Sequence, residues 1–165
     1  MVIVSGVSDS PLAPLEKLEL MIPGFKGYKR KDLIRQDDVL VRQAIKMRLV
    51  NAQEELGLKE SRLAAQNPFD PRISEYEELQ SLLRSVSEEV GAAPAGMYTF
   101  YTRFKLFEED MMKIVEYDLR LLNTADEVLK QARGECDPAT LRRLIEEIRV
   151  AFNDRQRLFS PEKLR

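Results

Sequence analysis

The fold of this chain is decided by residues 97–132, MYTFYTRFKLFEEDMMKIVEYDLRLLNTADEVLKQA. Apolar side chains recur here at steps of three, four and seven, which is the spacing of one face of a long α-helix. The members of this apolar stripe are Phe100, Phe104, Phe107, Met111, Ile114, Leu121, Ala125, Val128 and Ala132. No other segment has so continuous a stripe. We therefore expect residues 97–132 to form a central helix on which the other helices bury their apolar faces.

Three more segments have helical periodicity. Residues 31–65 form the first, and the pattern passes through Gly57, so we expect one helix to about Ala65. Asp70-Pro71 and Asp137-Pro138 each join an N-cap residue to a proline suited to the first helical position, which predicts the starts of two further helices. No segment alternates as a strand would. The sequence thus predicts an all-α, up-down-up-down four-helix bundle in residues 31–165, with an irregular N-terminal arm in residues 1–30 and a single domain overall. Within the arm, Leu15–Met21 is a candidate for a short turn of helix.

Composition limits the classes of protein that fit. The 165 residues are 44% hydrophobic and carry a formal charge of −2, so nothing in the overall charge favours a nucleic acid or a membrane. Cys136 is the one cysteine, which excludes an intrachain disulfide and favours a reduced, cytoplasmic location. The apolar start of the chain is too short for a membrane span, and we expect no integral membrane association.

The N-terminal arm ends in a loop rich in glycine, aromatic and basic residues, which we take as the candidate binding loop. Its members are Phe25, Lys26, Gly27, Tyr28, Lys29, Arg30 and Lys31. Cations and backbone N–H groups at a helix start suit a phosphate, a nucleic acid or an acidic protein segment. The alternative is that the lysines only solvate the surface. The glycine spacing matches neither the Walker nor the dinucleotide pattern.

The expected topology gathers other aromatic and basic residues at the same end of the bundle. The aromatic residues there include Tyr98, Phe100, Tyr101, Phe104, Phe107, Phe152 and Phe159. The cations include Arg103, Lys105, Arg155, Arg157, Lys163 and Arg165. These residues either form a site that binds an anion, or the aromatic side chains only fill the interior of a wide bundle end.

Two charged residues interrupt the apolar faces of their helices. Asp118 lies one turn from Ile114, and Arg155 lies between Phe152 and Phe159, so we expect Asp118 and Arg155 to form an interior ion pair. Asp37 and Asp38 are alternative partners. A catalytic carboxylate at Asp118 is the other interpretation.

Most catalytic chemistry is missing from the sequence. The absence of histidine excludes Ser-His and Cys-His nucleophiles, histidine-ligated metals and the Glu-x-x-His motif of di-iron bundles. We therefore predict no catalytic, cofactor-binding or metal-binding residues. A carboxylate-only, metal-dependent hydrolase using Asp37, Asp38 or Asp118 stays open as an alternative.

Two short motifs resemble a known group of proteins. Ile22-Pro23-Gly24-Phe25-Lys26-Gly27-Tyr28-Lys29 before a charged helix, and Asp118-Leu119-Arg120-Leu121-Leu122 in a later one, are similar to segments of small uncharacterised helical proteins of bacteria and archaea. The resemblance implies a helical fold and the order of its segments, and it implies no activity.

The sequence favours a non-enzymatic protein that acts through protein–protein contacts, as a homo-oligomer or within a larger assembly. Its first and third helices are expected to be longer than their partners. Their projecting ends should leave the apolar side chains of Leu58, Leu63 and Val128 exposed to solvent unless a partner chain buries them. Binding of an anion or a nucleic acid at the basic and aromatic end is the alternative function.

Overall fold

The computed structural model describes residues 13–28, 34–92, 108–135 and 137–158, and all regular structure in these ranges is α-helical. The helices are α1 (Ala13–Met21), α2 (Ile34–Gln66), α3 (Arg72–Ala92), α4 (Glu108–Arg133) and α5 (Pro138–Leu158). The all-α class is confirmed. The structure has five helices within the described ranges rather than four, because the short turn of helix expected at Leu15–Met21 is a nine-residue helix, α1, within the N-terminal arm.

The helix boundaries follow local signals in the sequence. The Asp70 carboxylate accepts a hydrogen bond from the backbone N–H of Arg72 at 2.9 Å, and the Asp137 carboxylate accepts one from that of Thr140 at 3.2 Å. Both bonds satisfy N–H groups that have no partner within the first turn of a helix. Helix α2 continues through Gly57, as the periodicity predicts. The expected start of the central helix, near Met97, lies outside the described residues.

The four long helices do not all pack on a single central helix, as the sequence analysis expected. Helix α2 packs on α3 and α4, while α5 also packs on α3 and α4, and α1 lies against α4. Helix α3 therefore packs chiefly on α2 and α5. The expectation that α4 receives all the other helices is wrong, because α3 packs on α2 and α5, and α2 shares with α4 the contacts to the other long helices.

Ion pairs give the relative direction of α2 and α4. Arg48 pairs with Asp126 at 2.5 Å, and further along both helices Glu55 pairs with Arg133 at 3.8 Å. The residue numbers rise together, so the two helices run parallel.

Ion pairs show that α3 and α5 also run parallel to each other. Glu78 pairs with Arg142 at 2.8 Å, and Glu89 pairs with Arg149 at 3.2 Å. The four long helices are thus two antiparallel hairpins, α2–α3 and α4–α5, that lie side by side with parallel helices in contact.

The core fills the space between these helices with aliphatic side chains. From α4 it takes Ile114, Val115, Leu121, Leu122, Ala125, Val128, Leu129 and Ala132. From α2 it takes Val41, Ile45, Leu49, Ala52 and Leu56. Val128 is fully buried, so the expectation that it lacks cover is wrong.

One end of the α2–α3 pair extends beyond the core. Residues 57–78 contribute no buried side chain, and we call them the projecting hairpin. The end of α4 meets α2 at Lys59, whose ammonium group donates to the carbonyl of Gly134. The seven residues of α2 beyond Lys59 therefore reach about 10 Å further than α4, at 1.5 Å per residue.

Candidate functional site

Buried polar side chains gather at the end of the molecule opposite the projecting hairpin, and we call them the buried charge cluster. Its members are Tyr28, Asp37, Asp38, Arg42, Asp118 and Arg155. They come from the segment after α1, from the start of α2, from α4 and from the end of α5. The least buried of them, Arg42, is only 8% exposed. Charges so deep in a protein are stable only when they are paired and hydrogen-bonded.

Arg155 is the centre of the cluster. Its Nε donates to Oδ1 of Asp118, and its Nη1 lies 2.7 Å from Oδ1 of Asp38. The other oxygen of Asp38 accepts from Nε of Arg42, one helical turn later, at 2.8 Å. The structure thus brings Asp118 and Arg155 together and adds Asp38 as a second carboxylate on the same guanidinium. The planar group joins α2, α4 and α5 at one point.

Tyr28 completes the cluster from the N-terminal side. Its hydroxyl donates to Oδ2 of Asp118 and lies 3.2 Å from Nη2 of Arg155, which donates to it. Burial raises the pKa of Tyr28 well above 10.0, and the neighbouring Asp118 carboxylate raises it further. The phenol therefore stays protonated and keeps its donor role.

The pKa of the Asp118 carboxyl is raised above its ordinary value, because burial outweighs the effects that lower it. Burial raises the pKa of Asp118, while the Arg155 charge and the hydrogen bond from Tyr28 act in the other direction. Burial by itself lowers the pKa of Arg155, but Asp118, Tyr28 and Asp38 together raise it well above its ordinary value. The guanidinium is accordingly charged at any ordinary pH.

Asp37 binds the backbone of the candidate binding loop. One carboxylate oxygen accepts the N–H of Lys26 at 2.8 Å, and the other accepts the N–H of Tyr28 at 2.9 Å. The backbone takes positive φ at Gly24 (86°), Gly27 (71°) and Tyr28 (58°), and this conformation turns the two N–H groups toward Asp37. The N–H groups that the sequence offered to an external anion thus face a carboxylate of the protein itself.

The other members of the candidate binding loop lie in contrasting places. Phe25 and Gly27 are buried, and Lys26 is exposed. Lys29, Arg30 and Lys31 lie outside the described residues. The loop therefore inserts its aromatic side chains into the protein instead of presenting them to solvent.

Part of the expected aromatic end is visible in the structure. The rings of Phe25 and Tyr28 meet edge to face, with centroids 5.2 Å apart. The guanidinium of Arg155 lies 5.9 Å from the centre of the Phe152 ring. The remaining aromatic residues predicted for this end, Tyr98, Phe100, Tyr101, Phe104, Phe107 and Phe159, lie outside the described residues.

Sequence reasoning missed two roles in this cluster. Asp37 was expected as an alternative partner for the ion pair or as a residue of a carboxylate-only metal site, whereas it binds the loop backbone. No sequence pattern marks such a bond between side chain and backbone. Arg42 was not expected at all, although its spacing of four from Asp38 on one helix is a usable signal.

Within the ranges given above, no three Asp, Glu or Cys side chains converge as a metal site requires. None of the described helices combines the length and apolar character needed to cross a bilayer.

Comparisons of the chain with protein-family models, with curated proteins and with solved structures find no match.

Proposed function

We propose that this protein acts through protein–protein contacts made by its projecting hairpin, and that the partner is a second copy of the chain. In this proposal α2–α5 are a four-helix bundle that serves as the rigid support for the hairpin. The observation that carries the proposal is Phe69, whose side chain is 91% exposed at the tip of the hairpin.

The turn that presents Phe69 is firmly hydrogen-bonded. The backbone N–H of Phe69 donates to the side chain of Asn67 at 3.1 Å, and that of Asp70 donates to the Asn67 carbonyl at 3.1 Å. Arg72 closes the turn with an ion pair to Asp70 at 2.8 Å. An aromatic side chain on a preorganised turn loses little conformational entropy on binding, which suits an anchor at an interface.

Charge on the two arms of the hairpin supports a second copy as the partner. The α2 arm exposes the cation Arg62, whereas the α3 arm exposes the acids Glu75 and Glu77. A two-fold axis places the α2 arm of one copy against the α3 arm of the other, so that opposite charges meet twice. Leu58, which is 54% exposed on the α2 arm, adds apolar surface to the same region.

Sedimentation equilibrium over a wide range of protein concentration tests the proposal. We expect the wild-type chain to associate reversibly and Phe69→Ser to remain monomeric at every concentration. Val150→Ser is the matched control, because Val150 is a 59% exposed apolar residue of α5 outside the hairpin, and it should associate as the wild type does. A wild-type chain that stays monomeric at the highest concentration overturns the proposal, as does association that survives Phe69→Ser.

A further inference from the structure

Arg155 joins the α2–α3 hairpin to the α4–α5 hairpin through a buried ion pair. Its Nη1 lies 2.7 Å from Oδ1 of Asp38 on α2, while its Nε donates to Asp118 within its own hairpin. Outside the buried charge cluster, the buried side chains of the described residues are apolar except Ser87, whose hydroxyl donates to the carbonyl of Arg84 in its own helix. Among the described residues, buried polar side chains therefore connect the two hairpins only in this cluster.

The apolar core positions of the four long helices repeat every seven residues. Fully buried pairs with this spacing are Ile45 and Ala52, Leu79 and Val86, Leu121 and Val128, and Leu141 and Ile148. A core with such a repeat also accepts one hairpin moved along the other by seven residues, because apolar side chains again face apolar side chains.

The sequence connections do not decide between these positions. Short connections, residues 67–71 and residues 134–137, fix how the two helices of each hairpin lie along each other. No such short connection joins the hairpins, because residues 93–107 separate them in the sequence. The register of the hairpins, which is the position of one along the other, thus needs another determinant.

The charged residues of the cluster occupy the same seven-residue repeat as the apolar core. The fully buried residues seven positions away from Asp38, Asp118 and Arg155 are Ile45, Ala125 and Ile148. Each charge therefore stands where its own helix otherwise has an apolar side chain. A polar residue at one such position of a helical repeat is a known way to fix register.

We propose that the buried charge cluster sets the register of the two hairpins, with the contact between Asp38 and Arg155 as its decisive part. A shift of seven residues moves the hairpins about 10 Å along each other, at 1.5 Å per residue. In one direction Arg155 comes level with Ile45, and in the other Asp38 comes level with Ile148. Either shift breaks the ion pair, and a buried charge that loses its partner is strongly unfavourable.

Ion pairs at the surface also cross between the hairpins. The pair of Arg48 and Asp126 is one, and their side chains are 21% and 47% exposed. Solvated pairs of this kind contribute little to stability, because water screens the two charges. This pair therefore serves as the control for the buried one.

An apolar version of the cluster tests the proposal. Its substitutions are Tyr28→Phe, Asp38→Leu, Arg42→Met, Asp118→Leu and Arg155→Met. Replacing the whole group removes the specific contacts and leaves no unpaired charge inside, so the bundle should still fold. Circular dichroism should show the same helical content as in the wild type.

Electron spin resonance between two spin labels measures the register. The labels are attached through Phe69→Cys at the tip of α2–α3 and Val150→Cys on α5, both at exposed positions, in a Cys136→Ser background. Labelled protein is diluted with unlabelled chain, so that distances within one molecule are measured whether or not the chain associates. The unaltered cluster should give one narrow distance, and the apolar version should add a second population displaced by about 10 Å.

The control replaces the surface pair in the same labelled chain. Arg48→Met with Asp126→Leu should keep the single narrow distance. A single, unshifted distance in the apolar version of the cluster overturns the proposal. Loss of helical content in that version also overturns it, because the cluster is then needed for folding itself, and so does a second distance in the control.

Discussion

The phenol of Tyr28 donates a hydrogen bond to Oδ2 of Asp118, which lies 90 positions later in the chain. This contact fastens the segment after α1 to the middle of the protein through a buried, charge-assisted bond. It also explains why a tyrosine tolerates a φ of 58° at this position, because the surrounding bonds to Asp118, Arg155 and the Asp37 carboxylate determine its place.

The Tyr28–Asp118 contact predicts a specific loss of stability at high pH. The pKa of Tyr28 is raised above 10.0 in the folded state by burial and by Asp118, so its contribution is complete below pH 10.0 and is lost as the pH rises above it. Urea unfolding of wild type and Tyr28→Phe, measured from neutral to strongly alkaline pH, isolates this effect. Their difference in unfolding free energy should shrink by about 1.4 kcal/mol per pH unit above that point. A constant difference contradicts the assignment.

Removal of the Arg155 guanidinium should be severely destabilising. Arg155→Met leaves Asp118 and Asp38 without their shared cation in the interior, which costs about 3–5 kcal/mol of unfolding free energy. The double variant Arg155→Met, Asp118→Asn should recover part of the lost unfolding free energy, because it also removes the buried carboxylate charge of Asp118. Arg157→Met is the control, since Arg157 is a largely exposed residue of the same helix, and it should change stability by less than about 1 kcal/mol. Comparable losses in Arg155→Met and Arg157→Met exclude a structural role for the buried pair.

Two glycines should respond in opposite directions to alanine. At Gly27, φ is 71° and an added Cβ meets Cδ1 of Leu15 at 2.7 Å, so Gly27→Ala should cost about 1–3 kcal/mol. Gly57 lies in the interior of α2, where its added Cβ meets the side-chain oxygen of Gln80 at 3.3 Å, a contact that a shift of a few tenths of an ångström at the end of that side chain relieves. Gly57→Ala should therefore stabilise the protein by about 0.5–1 kcal/mol through helix propensity. Thermal unfolding measures the stability change of both variants. If Gly27→Ala is as stable as the wild type, the positive φ described at Gly27 is wrong.

Loss of the Asp37 carboxylate should create the anion site that the sequence predicted. Asp37→Ala frees the N–H groups of Lys26 and Tyr28, which should lower stability by about 1–3 kcal/mol. Phosphate should then raise the melting temperature of this variant more than that of the wild type, because an added anion replaces the missing carboxylate. Chloride at equal ionic strength is the control. Equal phosphate responses in variant and wild type contradict this account.

The helical class and most helix ends were predictable because they depend on local chemistry. The start of α3 follows from Asp70 and that of α5 from Asp137, each of which binds a backbone N–H within its own first turn. The passage of α2 through Gly57 follows from a periodicity that continues on both sides of it. Such signals lie within a few residues of the features they determine.

The packing order and the complete cluster were not predictable, because they depend on distant residues. Nothing within α3 says that it packs on α5 rather than on α4. Likewise, the sequence around Asp37 does not show that the backbone N–H of Lys26, 11 residues earlier, donates a hydrogen bond to that carboxylate. The pairing of Asp118 with Arg155 was foreseen because a charge on an apolar stripe needs an opposite charge nearby.

The projecting hairpin has a consequence for how this chain can change in length. No side chain of residues 57–78 is fully buried, so seven residues inserted into each arm near the tip lengthen the hairpin by about two turns and keep its apolar faces in register. Insertions or deletions in its arms therefore change the distance between the tip of the hairpin and the core without altering the core itself.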